Sequence, residues 1–371
     1  MQENKIGVGI IGASMDGTWG GLAHLPALQA LSNFKVAAIS TTRKESAYET
    51  AKRFGIPKAC IDPYELASNP HVDLVTITVK VPEHDKLVRT ALEAGKHVYC
   101  EFPLGRTTEE ATNLLQIAEE KGLRHFVGLQ ARTNPAFKYA KDLIASGYVG
   151  EVLAVHCNYS LPLFSTRSKK IKRSRTYLLD KANGANQLTI TAGHLLDGIT
   201  YMFGPFSEIS AITETQIKQV KVEETGEIIQ ATSPDHVLVN GILASGAIMS
   251  TQIRNTHIGN LSLEINGTEG DLILQSKDNF MFQIDSFLVK VAQGNSKDFD
   301  TLPIPPEYNQ LPSMLKAGPA FNIAQLYSHI FRDLRENTYH SPDFHTAIKT
   351  HKLLEKIQKA AKTGIKQKIN I

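Results

Sequence analysis

Residues 5–26 read KIGVGIIGASMDGTWGGLAHLP. Ile6 to Ile11 is an apolar run of buried-strand length. Gly12-Ala13-Ser14-Met15-Asp16-Gly17 follows at once, and Leu22 to Leu31 has the pattern of a helix. A strand, a tight glycine turn and a helix in succession give a dinucleotide-binding fingerprint its physical meaning. Without Cβ atoms the backbone lets a pyrophosphate approach, and the start of a helix presents unpaired N–H groups to the anion. The middle glycine of G-x-G-x-x-G is Ser14 here, whose Cβ crowds the phosphates and whose hydroxyl offers a hydrogen bond instead. Gly12, Ser14 and Gly17 are therefore candidate cofactor contacts. A glycine-rich turn that binds nothing is the alternative at this point.

The 371 residues are enough for two domains, and 42% hydrophobic with 21% charged residues is the balance of a globular protein. A net charge of +3 is too small to point to nucleic acid or a membrane surface. Cys60, Cys100 and Cys157 are odd in number and scattered, with no C-x-x-C pair, so neither a disulfide framework nor a metal site is expected. No apolar run approaches the ~20 residues that span a bilayer. Met-Gln-Glu-Asn-Lys leads directly into the first strand, so no signal peptide is expected and the cytoplasm is the expected compartment.

Outward from the first turn, strands and helices alternate. Phe34 to Ile39 reads as a strand, Ser46 to Phe54 as a helix and Val72 to Val79 as a β-branched buried strand. Helix His84–Ala94, strand His97–Cys100, helix Thr108–Lys121 and strand His125–Leu129 follow. This alternation predicts an α/β Rossmann domain, a doubly wound parallel sheet over residues 1–130. Ligands in such sheets lie outside the carboxyl ends of the strands, which makes Lys80, Glu101 and Gln130 candidates by position. After the second strand, where NAD-preferring folds place an acid, the residues are Ser40-Thr41-Thr42-Arg43-Lys44. With no carboxylate to repel a 2′-phosphate and Arg43 or Lys44 to pair with one, NADP is favoured over NAD, and Thr41 and Arg43 join the candidates.

The segment Ala91-Leu92-Glu93-Ala94-Gly95-Lys96-His97-Val98-Tyr99-Cys100-Glu101-Phe102-Pro103-Leu104 resembles the A-L-x-A-G-K-H-V-x-x-E-K-P-L signature of the Gfo/Idh/MocA (glucose–fructose oxidoreductase/inositol dehydrogenase) family. Arg132-x-x-Pro135 and Ile144-x-x-Gly147-x-x-Gly150-Glu151-Val152 resemble its next landmarks. The resemblance implies a two-domain protein that oxidises or reduces sugar and polyol hydroxyls with a nicotinamide cofactor. It also implies that the lysine of E-K-P lies near nicotinamide and substrate, and that lysine is Phe102 here. Loss of one preorganised donor of this kind costs ~10²–10³ in rate. Lys80-Val81-Pro82-Glu83-His84 departs from the family's T-P-N-x-x-H, and Lys80 offers positive charge there unless it is a solvated loop lysine.

From Glu151 the texture changes. Val152 to Tyr159 alternates as a half-exposed antiparallel strand does, and strands are expected at His236–Leu243, Ala247–Ile253, Leu261–Asn266 and Asp271–Gln275. Asn266 to Gly270 is a hairpin signal. Residues 131–371 are thus expected to form an α+β substrate and oligomerisation domain with a large open, mostly antiparallel sheet, homo-oligomeric through that sheet. A C-terminal helix over 343–362, ending at Gly364, is expected to pack back on the body.

Leu188 to Phe203 predicts a helix with an apolar stripe at Leu188, Ala192, Leu195, Ile199 and Met202. Ile190, His194, Asp197 and Tyr201 share another face. The family resemblance aligns its catalytic D-x-x-x-H here, so that His194 matches the histidine and Ile190 stands for the aspartate. A histidine held structurally by Asp197 is the alternative. Arg167 to Arg175 (RSKKIKRSR) is read as a solvated basic loop entering the Tyr177-Leu178-Leu179-Asp180 segment.

Loss of both the lysine and the aspartate, with Gly12…Gly17-Thr18-Trp19, Tyr177-x-x-Asp180…Asn183-Gly184 and Pro234-Asp235-His236, resembles the branch of the fungal galactose-pathway repressor. That branch binds NAD or NADP and holds an activator's peptide, and the comparison sets Trp19 beside the cofactor. Two functions follow. The favoured one is an NAD(P)-dependent oxidoreductase acting on a sugar- or polyol-like hydroxyl, with His194 moving the proton and Tyr177 or Lys80 polarising the hydroxyl. The other is a non-catalytic, dinucleotide-dependent module whose cleft takes a peptide or small effector. Neither calls for a membrane or direct nucleic-acid contact.

Overall fold

The computed structural model describes residues 5–162, 166–277, 281–309, 311, 315 and 318–370. The chain divides into two units, Met1–Gln130 with Leu311–Ile348, and Ala131–Gln310 with Lys349–Ile371. In the first, β1 (Ile6–Ile11), α1 (Leu25–Ala30), β2 (Phe34–Ser40), α2 (Lys44–Phe54), β3 (Lys58–Cys60) and α3 (Pro63–Ala67) are followed by β4 (Leu74–Ile77), α4 (His84–Glu93), β5 (His97–Glu101), α5 (Thr108–Glu120) and β6 (His125–Gly128). The six strands make one parallel sheet in the order β3-β2-β1-β4-β5-β6. The direction of winding reverses between β1 and β4, the switch point of a doubly wound fold. β1 and β4 are buried along their whole length, which is why they read as unbroken apolar runs. The strand expected over Val72 to Val79 is shorter, because Thr78 donates from both N–H and Oγ1 to the Ile11 carbonyl and leaves the ladder there. β3 and α3 carry too few residues for a period to register.

The second unit contains α6 (Pro135–Ala145), β7 (Val152–Leu161), β8 (Lys170–Ile171), α7 (Gly193–Phe203), β9 (Phe206–Glu214), β10 (Gln219–Val222) and β11 (Ile228–Gln230). β12 (His236–Leu243), β13 (Ile248–Asn255), β14 (Asn260–Gly267), β15 (Gly270–Ser276), β16 (Phe287–Gln293) and β17 (Asp300–Leu302) follow. The chain then forms α8 (Pro319–Glu336) in the first unit, and α9 (Phe344–Thr363) carries it back to β18 (Gln367–Lys368) in the second. An open nine-stranded sheet runs β17-β16-β15-β14-β7-β13-β12-β9-β18, with a separate three-stranded sheet β11-β10-β8.

Three expectations are corrected. Residues 311–348 belong with the first unit, not with a continuous domain 131–371, because Ile323, Ala324, Leu326, Tyr327 and Ile330 of α8 complete the core beside β1, β2 and α1. β7 is not purely antiparallel: it pairs parallel to β13 and antiparallel to β14. The basic run is not all loop, since Lys170–Ile171 pairs with β10 and Ile171 is buried with Leu179 and Val220.

Two histidines of the first unit accept a backbone N–H, as a neutral ring can, and a third is buried between two carbonyls. His97 Nδ1 accepts from Arg124 N–H at 3.1 Å, and His125 Nδ1 accepts from Phe344 N–H at 3.2 Å. His84 lies between the carbonyl oxygens of Pro103 (2.8 Å) and Val79 (3.1 Å), and a neutral ring can donate to only one of them at a time. Burial is the main cause that lowers all three from their ordinary value of 6.5. Below that value the unfolded chain binds protons that the folded one resists. Stability is therefore whole above pH 6.5 and is lost as the pH falls through the depressed folded values. Urea midpoints measured from pH 7.5 to 5 should fall steadily on the acid side, and His125→Gln, which keeps an acceptor, should flatten the slope; a pH-independent midpoint refutes this account.

Candidate functional site

The glycine turn is tied to itself before any ligand is considered. Thr18 Oγ1 donates to the Ser14 carbonyl and accepts from the N–H groups of Ser14 (2.8 Å) and Gly21 (3.3 Å). The Ser14 hydroxyl accepts from Asp16 N–H at 3.4 Å. Gly12 and Gly17 have left-handed backbones (φ 98° and 75°). A Cβ at 12 would meet Val79 Cγ1 at 2.5 Å, whereas at 17 it would meet nothing within 4 Å, so that corner is open. Two glycines that sequence reading missed seat the following segment: a Cβ at Gly20 would lie 2.4 Å from Thr78 Oγ1, and one at Gly21 would lie 2.0 Å from the Ser14 carbonyl oxygen. The segment opens as a π-turn, Gly20–His24, before the six-residue α1.

At the end of β2, Thr41 Oγ1 donates to the Arg43 carbonyl (2.8 Å) and sits 2.7 Å from Ser46 Oγ. The exposed Arg43 guanidinium is paired with the Asp16 carboxylate. Glycine turn and end of β2 are thus joined at the carboxyl edge of the sheet. Left-handed glycines at 12 and 17, open space at 17 and polar groups at 41 and 43 suit a dinucleotide laid across that edge. Trp19 packs on the core of this unit, edge-on to His24, with its Nε1 buried and without a hydrogen-bond partner.

At the other end of the same edge, Lys80 is exposed and precedes a 3₁₀ turn, Val81–Glu83. Phe102 is 5% exposed, and its hydrocarbon ring carries no N–H or O–H to donate. Glu101 and Gln130, both expected at this edge, are bonded to each other: the Gln130 amide donates to both carboxylate oxygens at 3.0 and 2.9 Å. His24 Nε2 meets Glu101 Oε1 at 3.0 Å. Burial pushes the Glu101 carboxyl up, but the hydrogen bonds from His24 and Gln130 outweigh it and hold the group below its ordinary value. His24 carried no motif of its own; its only signal was a histidine inside an apolar helical run.

In the second unit, Asn186 caps a π-turn, Gln187–Ala192, accepting from the N–H groups of Leu188 and Thr189 while Thr189 Oγ1 accepts from Asn186 N–H. α7 continues from it without a break. Gly198 is required inside α7, because a Cβ there would lie 2.5 Å from the Phe282 ring. His194 is 3% exposed. Asp197 is bound by Arg132 through Nε (2.9 Å) and Nη2 (2.6 Å), a bidentate pair. Arg132 and Lys141 both lie over the Tyr201 ring, at 4.8 and 4.9 Å. Asp197 and Tyr201 thus meet the same arginine, while Ile190 lies on the π-turn before α7 and not on the α-helix expected over Leu188 to Phe203. Tyr177 lies on a 3₁₀ segment, Arg173–Leu179, where burial pushes its phenol up.

Among the described residues no helix is long and apolar enough to cross a membrane. The family model for the oxidoreductase family with an NAD-binding Rossmann fold (GFO_IDH_MocA) matches residues 6–129, and that for the Gal80p C-terminal domain matches 135–276. The galactose/lactose metabolism regulatory protein GAL80 of Saccharomyces cerevisiae is 26% identical over 360 residues, 88% of this chain and 80% of that one. Levoglucosan dehydrogenase of Pseudarthrobacter phenanthrenivorans is 29% identical over 296 residues, 72% of this chain and 73% of the other. A solved levoglucosan dehydrogenase in complex with NADH and levoglucosan has the same fold, with TM-score 0.84 and 24% identity over 99% of this chain and 100% of that one. Sheet order, glycine turn and the two matched segments agree: the chain fits the Gfo/Idh/MocA family of NAD-binding Rossmann proteins, near the branch that holds Gal80.

Proposed function

We propose that the protein is an NAD(P)-dependent oxidoreductase acting on a sugar- or polyol-like hydroxyl, with His194 as the group that takes the hydroxyl proton. The observation that carries this reading is a histidine 3% exposed on α7 whose neighbouring carboxylate, Asp197, is committed through both oxygens to Arg132. An imidazole near neutrality is suited to accept a hydroxyl proton at working pH. The nicotinamide ring supplies the hydride-accepting carbon when the cofactor is bound. Gly12, Gly17, Thr41 and Arg43 would hold the adenosine and pyrophosphate portion, and Glu101 and Lys80 stand at the edge left for the rest. Tyr177 and Lys80 are the donors available to polarise the substrate hydroxyl, since Phe102 has none to give. The similarity to levoglucosan dehydrogenase supports a sugar-like substrate. Following absorbance at the nicotinamide band with a panel of sugars and polyols, levoglucosan among them, should reveal turnover, and His194→Asn should lower kcat by ~10²–10⁴.

Phe102 and Ile190, apolar where the family resemblance aligns lysine and aspartate, favour a second reading: a dinucleotide-dependent binding protein that takes a peptide or small effector without chemistry. The similarity to GAL80 supports it. Tight cofactor binding with no turnover across the panel would leave that reading in place of the first.

NADP over NAD remains our reading of the end of β2, although the Asp16 carboxylate on Arg43 stands against it where the sequence showed no carboxylate after that strand. A 2′-phosphate and the Asp16 carboxylate would compete for the Arg43 guanidinium. Arg43→Ala should weaken NADP binding about tenfold while sparing NAD, and Asp16→Asn should strengthen NADP. Equal effects of both substitutions on the two nucleotides would remove Arg43 from the phosphate site.

Copies of the chain are proposed to pair through the nine-stranded sheet, where Ile212, Ile242 and Ile248 lie exposed on one face. Light scattering should give a multiple of the chain mass of 40.8 kDa, and Ile248→Lys should shift it toward that mass.

A further inference from the structure

Three segments of the first unit converge on one carboxylate. Glu101 sits opposite Gly128 in the β5–β6 register, and a Cβ at 128 would lie 2.7 Å from the carboxyl carbon and both its oxygens. Only glycine leaves room for that seat. His24 and Gln130 supply the donors. Behind His24, its Nδ1 meets the Tyr327 hydroxyl at 2.9 Å, and that hydroxyl meets Thr76 Oγ1 at 3.0 Å. His24, Gln130, Tyr327 and Thr76 are all 0% exposed; the Glu101 side chain alone keeps contact with solvent, at 12%. The network therefore presents a fixed carboxylate at the carboxyl end of β5.

That end has a definite place in the sheet. Each three-strand half of a doubly wound fold takes one half of a dinucleotide. The glycine turn, Thr41 and Arg43 belong to the half made by β1, β2 and β3, which leaves the ends of β4, β5 and β6 to the nicotinamide. An oxidised nicotinamide ring is cationic and a reduced one is neutral, so a fixed carboxylate there attracts the first and has no charge to meet in the second.

We propose that His24 and Gln130 are positioning residues that fix Glu101 at the mouth of β5, and that Glu101 binds the nicotinamide half of the dinucleotide and favours its oxidised form over its reduced form. This rests on the dinucleotide-binding reading above but not on turnover. The test is calorimetric titration of the full chain with NAD⁺ and NADH, repeated with the NADP pair, read as the ratio of the two dissociation constants. Glu101→Gln should move the ratio about tenfold against the oxidised form. Glu101→Asp, which draws the carboxylate back by one methylene, should move it the same way by a smaller factor. His24→Gln, which still carries an amide donor, should keep more of the preference than His24→Leu. Glu120→Gln removes the same charge at the far end of α5 and should leave the ratio alone. A ratio unmoved in whichever Glu101 variant folds overturns the proposal while dinucleotide binding stands. A wild-type chain that binds no nucleotide overturns both.

Discussion

A carboxylate drawn out of water has to be met by donors, and for Glu101 in the first unit they come from distant parts of the chain. Its donors come from before α1 and from beyond β6, and the ring that buttresses one of them, Tyr327, comes from α8, more than 200 residues along the chain. The same tyrosine packs against Phe34 and Tyr99. Burial pushes the Tyr99 and Tyr327 phenols well up, so both remain neutral hydrogen-bonding groups within an apolar core. The polar contact of Tyr327 thus adds to the apolar packing of α8 beside β1, β2 and α1, and together they hold residues 311–348 in the first unit.

That return is what the sequence could not reveal. Strand and helix order through residue 130 was legible because a parallel sheet buried on both faces writes unbroken β-branched runs, and because Gly55, Gly95 and Gly122 mark helix ends with left-handed backbones. The strands from His236 to Ser276 were legible by alternation. The face of α7 holding His194 and Asp197 was legible at helical spacing. Partners were not: nothing in the spacing of His24, Glu101 and Tyr327 announces that they meet, since each pairing spans dozens to hundreds of residues and depends on the closed fold. Arg132 was seen as a landmark, but its hold on Asp197 needed coordinates. The basic run misled for a different reason. Six charges in nine residues mask the single buried Ile171, and one apolar residue sets no period.

The apolar replacements gain meaning when set beside the charges that remain. Phe102 removes a cation from the turn after β5, while Glu101, one residue earlier, stays ionised. For the proposed chemistry the sign matters. A carboxylate that attracts a cationic ring repels an alkoxide on a neighbouring carbon, so charge development on substrate oxygen gains no help from this end of the sheet. Proton removal then has to run ahead of, or together with, hydride departure, and the demand shifts from an ammonium to a base. His194, on the same helix as Asp197, whose two oxygens are held by Arg132, is the base proposed for that demand. Under the proposal made for Glu101, this end of the sheet favours holding an oxidised cofactor over rapid turnover. A slow dehydrogenase and a cofactor-dependent binder are neighbouring outcomes of the same substitutions.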